Sequence, residues 1–124
     1  YKPDLKFGDN LFTSDETRFG YNRFLTNSLD FAPLGGPTIR WLHEAYKAMG
    51  EMNDNAARLR CPLLTLTAAR DQVIKTSVVR RFCTRSGHCS HKEYEDARHE
   101  LFMESDGVRE DILARITQFF DPDS

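Results

Sequence analysis

Cys61-Pro62-Leu63-Leu64-Thr65-Leu66-Thr67, followed by Ala68-Ala69-Arg70-Asp71-Gln72, is the stretch on which the reading of this chain turns. The first seven residues are apolar or β-branched, follow the pattern of a buried run, and are too few for a helix, which predicts a parallel strand covered on both faces. The next five leave it as a loop. From Ser77 onward Val78, Val79, Phe82 and Cys83 fall on one helical face, and Gly87 is placed to end that helix. Lys92-Glu93-Tyr94-Glu95-Asp96 reads as a second, more polar strand, and Ala97-Arg98-His99-Glu100 as the loop after it. Such a strand–helix–strand unit has parallel strands and a right-handed crossover. Both loops then leave the sheet at its carboxyl edge, where ligands bind in open α/β folds. Neighbouring strands run roughly 4.8 Å apart, so the side chains of Asp71 and His99 are expected to meet above them.

A carboxylate followed by a histidine, each at a strand end, is the back half of a Ser–Asp–His triad in one of its known chain orders. The histidine takes the serine proton as general base and returns it to the leaving group; the aspartate fixes the imidazole tautomer and stabilises the imidazolium. Taken singly, each residue has a plainer explanation, since aspartate caps turns after strands and lone histidines are common on surfaces. The topological pairing is what points to chemistry. Arg70 and Arg98 each precede one of the two, so alternation turns them away from the pair or along its rim. Glu100 is a rival acid by position, but adjacent residues rarely share an orientation; it is expected to bond backbone or cover a helix end.

Four segments carry a resemblance: Leu34-Gly35-Gly36-Pro37-Thr38-Ile39-Arg40-Trp41, the Pro62 strand leading to Asp71, Arg81-Phe82-Cys83, and Ala97-Arg98-His99-Glu100-Leu101-Phe102. Together they resemble the lysophospholipase and monoacylglycerol-lipase branch of the bacterial serine α/β-hydrolases, over most of the chain from Asn10 to Phe120. The resemblance implies the carboxyl-terminal part of an α/β-hydrolase fold, with residues 1–55 as connector and helical cap segments and 56–124 as a strand–helix–strand–helix part of the core. It assigns Asp71 as the triad acid and His99 as the triad base, and implies a carboxylic ester hydrolase for lysophospholipids or monoacylglycerols, with no cofactor and no metal. The family's nucleophile lies in a Gly-x-Ser-x-Gly elbow, and none of Ser14, Ser28, Ser77, Ser86, Ser90, Ser105 and Ser124 sits in that pattern. The strands before that elbow and the oxyanion-hole loop are also missing. The expectation is therefore a carboxyl-terminal portion, inactive alone, whose serine comes from upstream sequence. Epoxide hydrolases and dehalogenases share the late acid and histidine but attack through an upstream aspartate, and a non-catalytic interaction module is a third reading.

Bulk properties limit the rest. The chain has 124 residues, 40% hydrophobic and 29% charged, with net charge −2. That fits one domain or part of a larger one, and no basic run marks a nucleic-acid surface. No apolar run approaches membrane-spanning length, and Tyr1 opens neither a signal peptide nor a start methionine, in keeping with truncation or processing upstream. Of three cysteines, Cys61 and Cys83 read as packed thiols and Cys89 as a loop residue. A Cys83–Cys89 bridge stays open as the less favoured alternative, so a reducing compartment is expected. Localisation is read as cytoplasmic, with a site peripheral to the inner membrane left open. The expected partners are a lipid or small ester substrate and no nucleic acid; membrane contact, a homodimer and pairing with the upstream segment are left open.

Elsewhere, residues 1–11 read as a connector, and Thr13 with Glu16 has the form of a capping box. The helix it starts carries Phe19, Tyr21, Phe24 and Leu25. Residues 27–37 form a loop whose glycines precede no phosphate-cradling helix, since no strand leads into them and no Gly-x-Gly-x-x-Gly is present. Pro37 and Thr38 open a second helix. Its stripes, Ile39, Leu42, Tyr46, Met49 and Trp41, Ala48, Met52, predict burial on two sides or the border of a pocket, with His43 on the wet face. His88, Cys89 and His91 lie too close together for tetrahedral metal closure and read as surface loop. Val108, Ile112, Ile116, Phe119 and Phe120 form the cleanest amphipathic pattern, a last helix capped near Ser105. The open edge of the Pro62 strand is expected to seek a partner.

Overall fold

A computed structural model describes residues 5–28 and 36–121. The expectations for the first four residues of the connector, for loop residues 29–35 and for the stop at Pro122 to Ser124 fall outside the described residues. Along the chain come a 3-10 turn at Phe7–Asp9, α1 (Glu16–Ser28), α2 (Ile39–Asp54), a 3-10 turn at Ala56–Arg58, β1 (Leu63–Ala68), α3 (Thr76–Ser86), β2 (Cys89–Tyr94), a 3-10 turn at Leu101–Met103 and α4 (Asp106–Phe120). Strands β1 and β2 are parallel, in register from Leu63 opposite Cys89 to Ala68 opposite Tyr94. This is the strand–helix–strand unit expected from the sequence. No described helix is long and apolar enough to cross a membrane.

Strand β2 begins three residues earlier than its composition suggests and ends two earlier. A parallel strand has to start where its partner starts, and Leu63 N–H already bonds His88 O at 2.9 Å. The polar residues of β2 are absorbed on the α3 side of the sheet. There Thr67 Oγ1 lies 2.8 Å from His91 Nε2, and Arg80 Nη2 donates to Glu93 Oε1 at 2.6 Å. His91 is therefore a strand residue bonded to its neighbour strand, not part of a surface loop.

Two cysteine assignments are corrected. Cys61 is exposed, because β1 opens only at Leu63. Cys83 and Cys89 are joined by a disulfide. Helix α3 stops at Ser86, and Gly87 at φ +70°, a left-handed angle that glycine adopts without strain, doubles the chain back so that the two Cα atoms stand 5.0 Å apart. The argument for a reducing compartment loses its premise with that bridge.

The core lies between the sheet and α4. Ala68, Tyr94, Ala97 and Ile112 are buried, with Leu66, Leu101, Val108 and Ile116 packed against them. The α4 stripe thus works as its spacing predicts through Ile116. Phe120 departs from it at 79% exposure. Pro62, Leu63, Leu64, Leu66, Ile116, Phe119 and Phe120 line an apolar cleft there. Among the described residues the outer edge of β1 has no partner strand.

Helix α2 is also corrected. Thr38 caps it, its Oγ1 accepting from Trp41 N at 3.2 Å, and Asn55 closes it. Yet it buries no residue, with Ile39 88% and Trp41 60% exposed. Local propensity and capping suffice to form the helix, while its main packing partner is only the short Ala56–Arg58 turn.

Tyr94 anchors α4 to the sheet by its hydroxyl, which donates to Asp111 Oδ2 at 2.8 Å; Arg115 Nε donates to the same oxygen at 2.7 Å. Burial and then the Asp111 carboxylate push the Tyr94 phenol up to about 12. A raised value favours the neutral phenol in the fold. Its contribution is full below the unfolded value near 10 and is lost as pH climbs towards 12, an effect on the order of 2–3 kcal/mol. Absorbance titration should show one of the four tyrosines ionising late, and Tyr94→Phe should abolish that late step. A titration with no late step that Tyr94→Phe removes would contradict the account.

Candidate active site

The two loops that follow β1 and β2 are sewn together before any side chain is considered. Ala69 N–H bonds Tyr94 O at 2.9 Å and Arg70 N–H bonds Ala97 O at 3.1 Å. These bonds extend the parallel ladder past the strand ends and set Asp71 beside His99. Asp71 Oδ1 accepts from Val73 N at 2.7 Å and Ile74 N at 3.0 Å, so the carboxylate folds its own loop. Its other oxygen, Oδ2, stands 2.9 Å from His99 Nδ1. The Asp71 side chain is 3% exposed and that of His99 27%. A carboxylate only accepts, so Nδ1 carries the proton facing Asp71, and Nε2 is the ring nitrogen left to exchange one. Burial works to raise the Asp71 pKa, but the hydrogen bonds from His99, Ile74 and Val73 and the charge of His99 outweigh it, and the carboxyl lies below the ordinary aspartate value.

The histidine loop is held from its other side by residues 10–15. His99 N–H reaches Leu11 O at 3.5 Å and Glu100 N–H bonds Phe12 O at 2.7 Å. Arg98 Nη1 donates to Asn10 O at 2.7 Å, so this arginine turns away from the dyad, as alternation requires. Arg70 pairs with Asp96 on the surface. The hub of the clamp is Glu104, 2% exposed. Its Oε1 accepts from Ser14 N at 3.0 Å and Arg98 N at 2.8 Å, and its Oε2 accepts from Ser14 Oγ. Arg18 Nη1 donates to Glu104 O at 2.6 Å and its guanidinium also pairs with Asp106.

Sequence reasoning missed Glu104, and nothing near it in the chain distinguishes it from exposed carboxylates such as Glu100. Its partner Ser14 lies 90 positions away. The capping box also resolves differently. Thr13 Oγ1 donates to Met103 O at 2.5 Å and accepts from Asp15 N at 3.0 Å, while Asp15 Oδ1 caps α1 by accepting from Arg18 N at 2.9 Å. Thr13 is thus committed to the clamp, and the shorter-range Asp15 takes the helix end. Glu100, expected to bond backbone or a helix end, makes no side-chain hydrogen bond among the described residues. It is exposed and lines a cavity next to His99. Of the three residues read as a surface loop, His88, Cys89 and His91, Cys89 is in the disulfide and His91 Nε2 faces Thr67.

The model of the family described as serine aminopeptidase, S33, a hydrolase family, matches residues 13–106, a span that includes both Asp71 and His99. The chain belongs to this α/β-hydrolase family. Its parallel pair with flanking helices is a partial α/β-hydrolase fold. Among curated relatives, lysophospholipase L2 of Escherichia coli (strain K12) is 30% identical over 124 residues, covering 94% of this chain and 36% of the relative. The probable lysophospholipase L2 of Haemophilus influenzae is 24% identical over 115 residues, covering 93% of this chain and 37% of the relative. The chain therefore spans little more than a third of the relatives it matches. Within the matched span, Asp71 and His99 stand in contact on loops that leave adjacent strands.

Proposed function

We propose that the protein containing this chain is a carboxylic ester hydrolase that cleaves lysophospholipids or monoacylglycerols, and that Asp71 and His99 are the acid and base of its Ser–Asp–His triad. The observation that carries the reading is the 2.9 Å contact between His99 Nδ1 and an Asp71 carboxylate that is almost wholly buried. The names of the relatives, both lysophospholipases, favour this substrate class. In this reading the serine comes from another segment of the full-length protein. His99 Nε2 removes the serine proton as the hydroxyl attacks the ester carbonyl, and Asp71 stabilises the imidazolium so formed. The same proton then passes from Nε2 to the departing glycerol oxygen. Water repeats the cycle on the acyl-serine, releasing the fatty acid. The open edge of β1 is where the remaining strands of the sheet would join.

The test compares the full-length protein with the 124-residue chain. The full-length protein is expected to hydrolyse a lysophospholipid and to be labelled on serine by a fluorophosphonate. The chain alone should not cleave a p-nitrophenyl ester above background, because a base without a nucleophile or oxyanion hole has little to act on. Robust turnover by the chain alone, or a full-length protein that opens an epoxide or haloalkane through an aspartyl ester, would overturn the proposal.

A further inference from the structure

We infer that Asn10 is a positioning residue for the base: it shapes the turn at residues 10–13 into a cradle of backbone carbonyls that aims the His99 imidazole at Asp71. The inference rests on the ester-hydrolase reading above and adds to it a residue that touches neither member of the dyad.

The bonds that extend the β1–β2 ladder hold the histidine loop only as far as Ala97, whose carbonyl accepts from Arg70 N at 3.1 Å. Beyond it, the N–H groups of Arg98, His99 and Glu100 go to Glu104 Oε1, Leu11 O and Phe12 O. The Arg98 guanidinium donates to Asn10 O at 2.7 Å and to Thr13 O at 3.4 Å, and it stands 5.9 Å from the Phe7 ring. Four consecutive carbonyls, Asn10 to Thr13, thus accept from residues 98–100. A turn that presents its carbonyls in this way has to satisfy its own N–H groups by other means, and one side chain does so. Asn10 Oδ1 accepts from Phe12 N at 3.0 Å and Thr13 N at 2.9 Å, while its Nδ2 donates to Phe7 O at 2.6 Å. The residue is 2% exposed. The same turn carries the Phe12 ring, 6.3 Å from the imidazole. Without the Asn10 side chain the carbonyls lose their direction, and with it goes the 2.9 Å contact between His99 Nδ1 and Asp71 Oδ2. A misplacement of about 1 Å at a reacting group costs on the order of a hundredfold in rate.

The experiment uses the full-length protein and p-nitrophenyl butyrate. Asn10→Ala should lower kcat by roughly thirtyfold with KM unchanged. The downfield proton NMR signal of His99 Nδ1–H, assigned by its loss in His99→Ala, should weaken in step. Asn10→Asp keeps an acceptor for Phe12 N and Thr13 N and should recover most of kcat, although it loses the donor to Phe7 O and melts below the wild type. Ile112→Val, a core change that lowers Tm, should leave kcat and the NMR signal as they are. Should Asn10→Ala not fold, Asn10→Ser, whose shorter side chain keeps a weaker acceptor, takes its place with the same expected split between kcat and KM. If kcat simply follows Tm through these variants, or a folded Asn10→Ala or Asn10→Ser protein keeps wild-type kcat, the positioning role is overturned and the hydrolase reading stands. A wild type without esterase activity would overturn the hydrolase reading, and an Nδ1 signal indifferent to Asn10 would overturn the positioning role in that case too.

Discussion

Replacing His99 by alanine in the full-length protein lowers kcat for ester cleavage by about 10⁴-fold, in line with the loss of a triad member, and leaves the melting temperature almost unchanged. The two halves of this expectation come from different features. His99 is partly exposed and its loop is held by backbone bonds to Leu11 and Phe12, so the loop keeps its place without the ring. The reaction, by contrast, loses the imidazole that the triad reading makes its base, and neither Arg98 nor Arg70 can replace it, because a guanidinium stays protonated. Asp71→Asn should cost a comparable factor by another route. The amide keeps one oxygen for Val73 and Ile74 but presents an NH₂ group to Nδ1, which forces the proton onto the nitrogen that has to accept. Asp71→Ala adds a stability loss to the kinetic one, because two backbone N–H groups lose their acceptor. Steady-state kinetics and thermal melts on the same three variants separate these effects. An alanine variant at His99 that retains more than about a tenth of wild-type kcat would mean that the base lies elsewhere.

Glu104→Leu is the substitution expected to damage the fold most. It removes the acceptor shared by Ser14 N, Ser14 Oγ and Arg98 N in a place with almost no solvent. Leaving buried donors unpaired costs about 1–3 kcal/mol for each group, and a total of about 3 kcal/mol allows for partial relaxation. For a domain of this size that corresponds to a fall in Tm of about 10 °C. Glu104→Gln keeps one acceptor oxygen and should lose about half as much. Differential scanning calorimetry gives the comparison, and faster amide exchange at Ser14 and Arg98 would locate the damage. A melt unchanged within a degree or two would show that residues 10–15 do not depend on this carboxylate.

What the sequence made legible was the part governed by short-range rules. The β1–α3–β2 unit follows from an apolar run, an amphipathic stripe and Gly87, all within residues 61–96. Its parallel topology alone was enough to bring Asp71 and His99 to one edge. The Val108, Ile112, Ile116 stripe likewise predicted the face that α4 buries. What stayed hidden depends on distant partners. Glu104 looks like any surface carboxylate until Ser14 arrives beside it. The Cys83–Cys89 bridge depends on how tightly the chain doubles back at Gly87, which spacing does not state. The exposure of α2 was misjudged because its stripes report how apolar a helix is, and not whether this chain holds anything to cover it.

The lacing of the histidine loop to residues 10–15 also sets an order of events in time. The unit that carries the dyad spans fewer than 40 positions and closes quickly, because short loops lose little entropy on closing. The clamp around Glu104 joins segments 90 positions apart and waits for α1, α2 and everything between them to be gathered in. In refolding, strand and helix signals should therefore recover well before the imidazole reaches its final orientation. Competence to accept a proton is then the last property this part of the molecule acquires, and the first it loses when the early segment peels away.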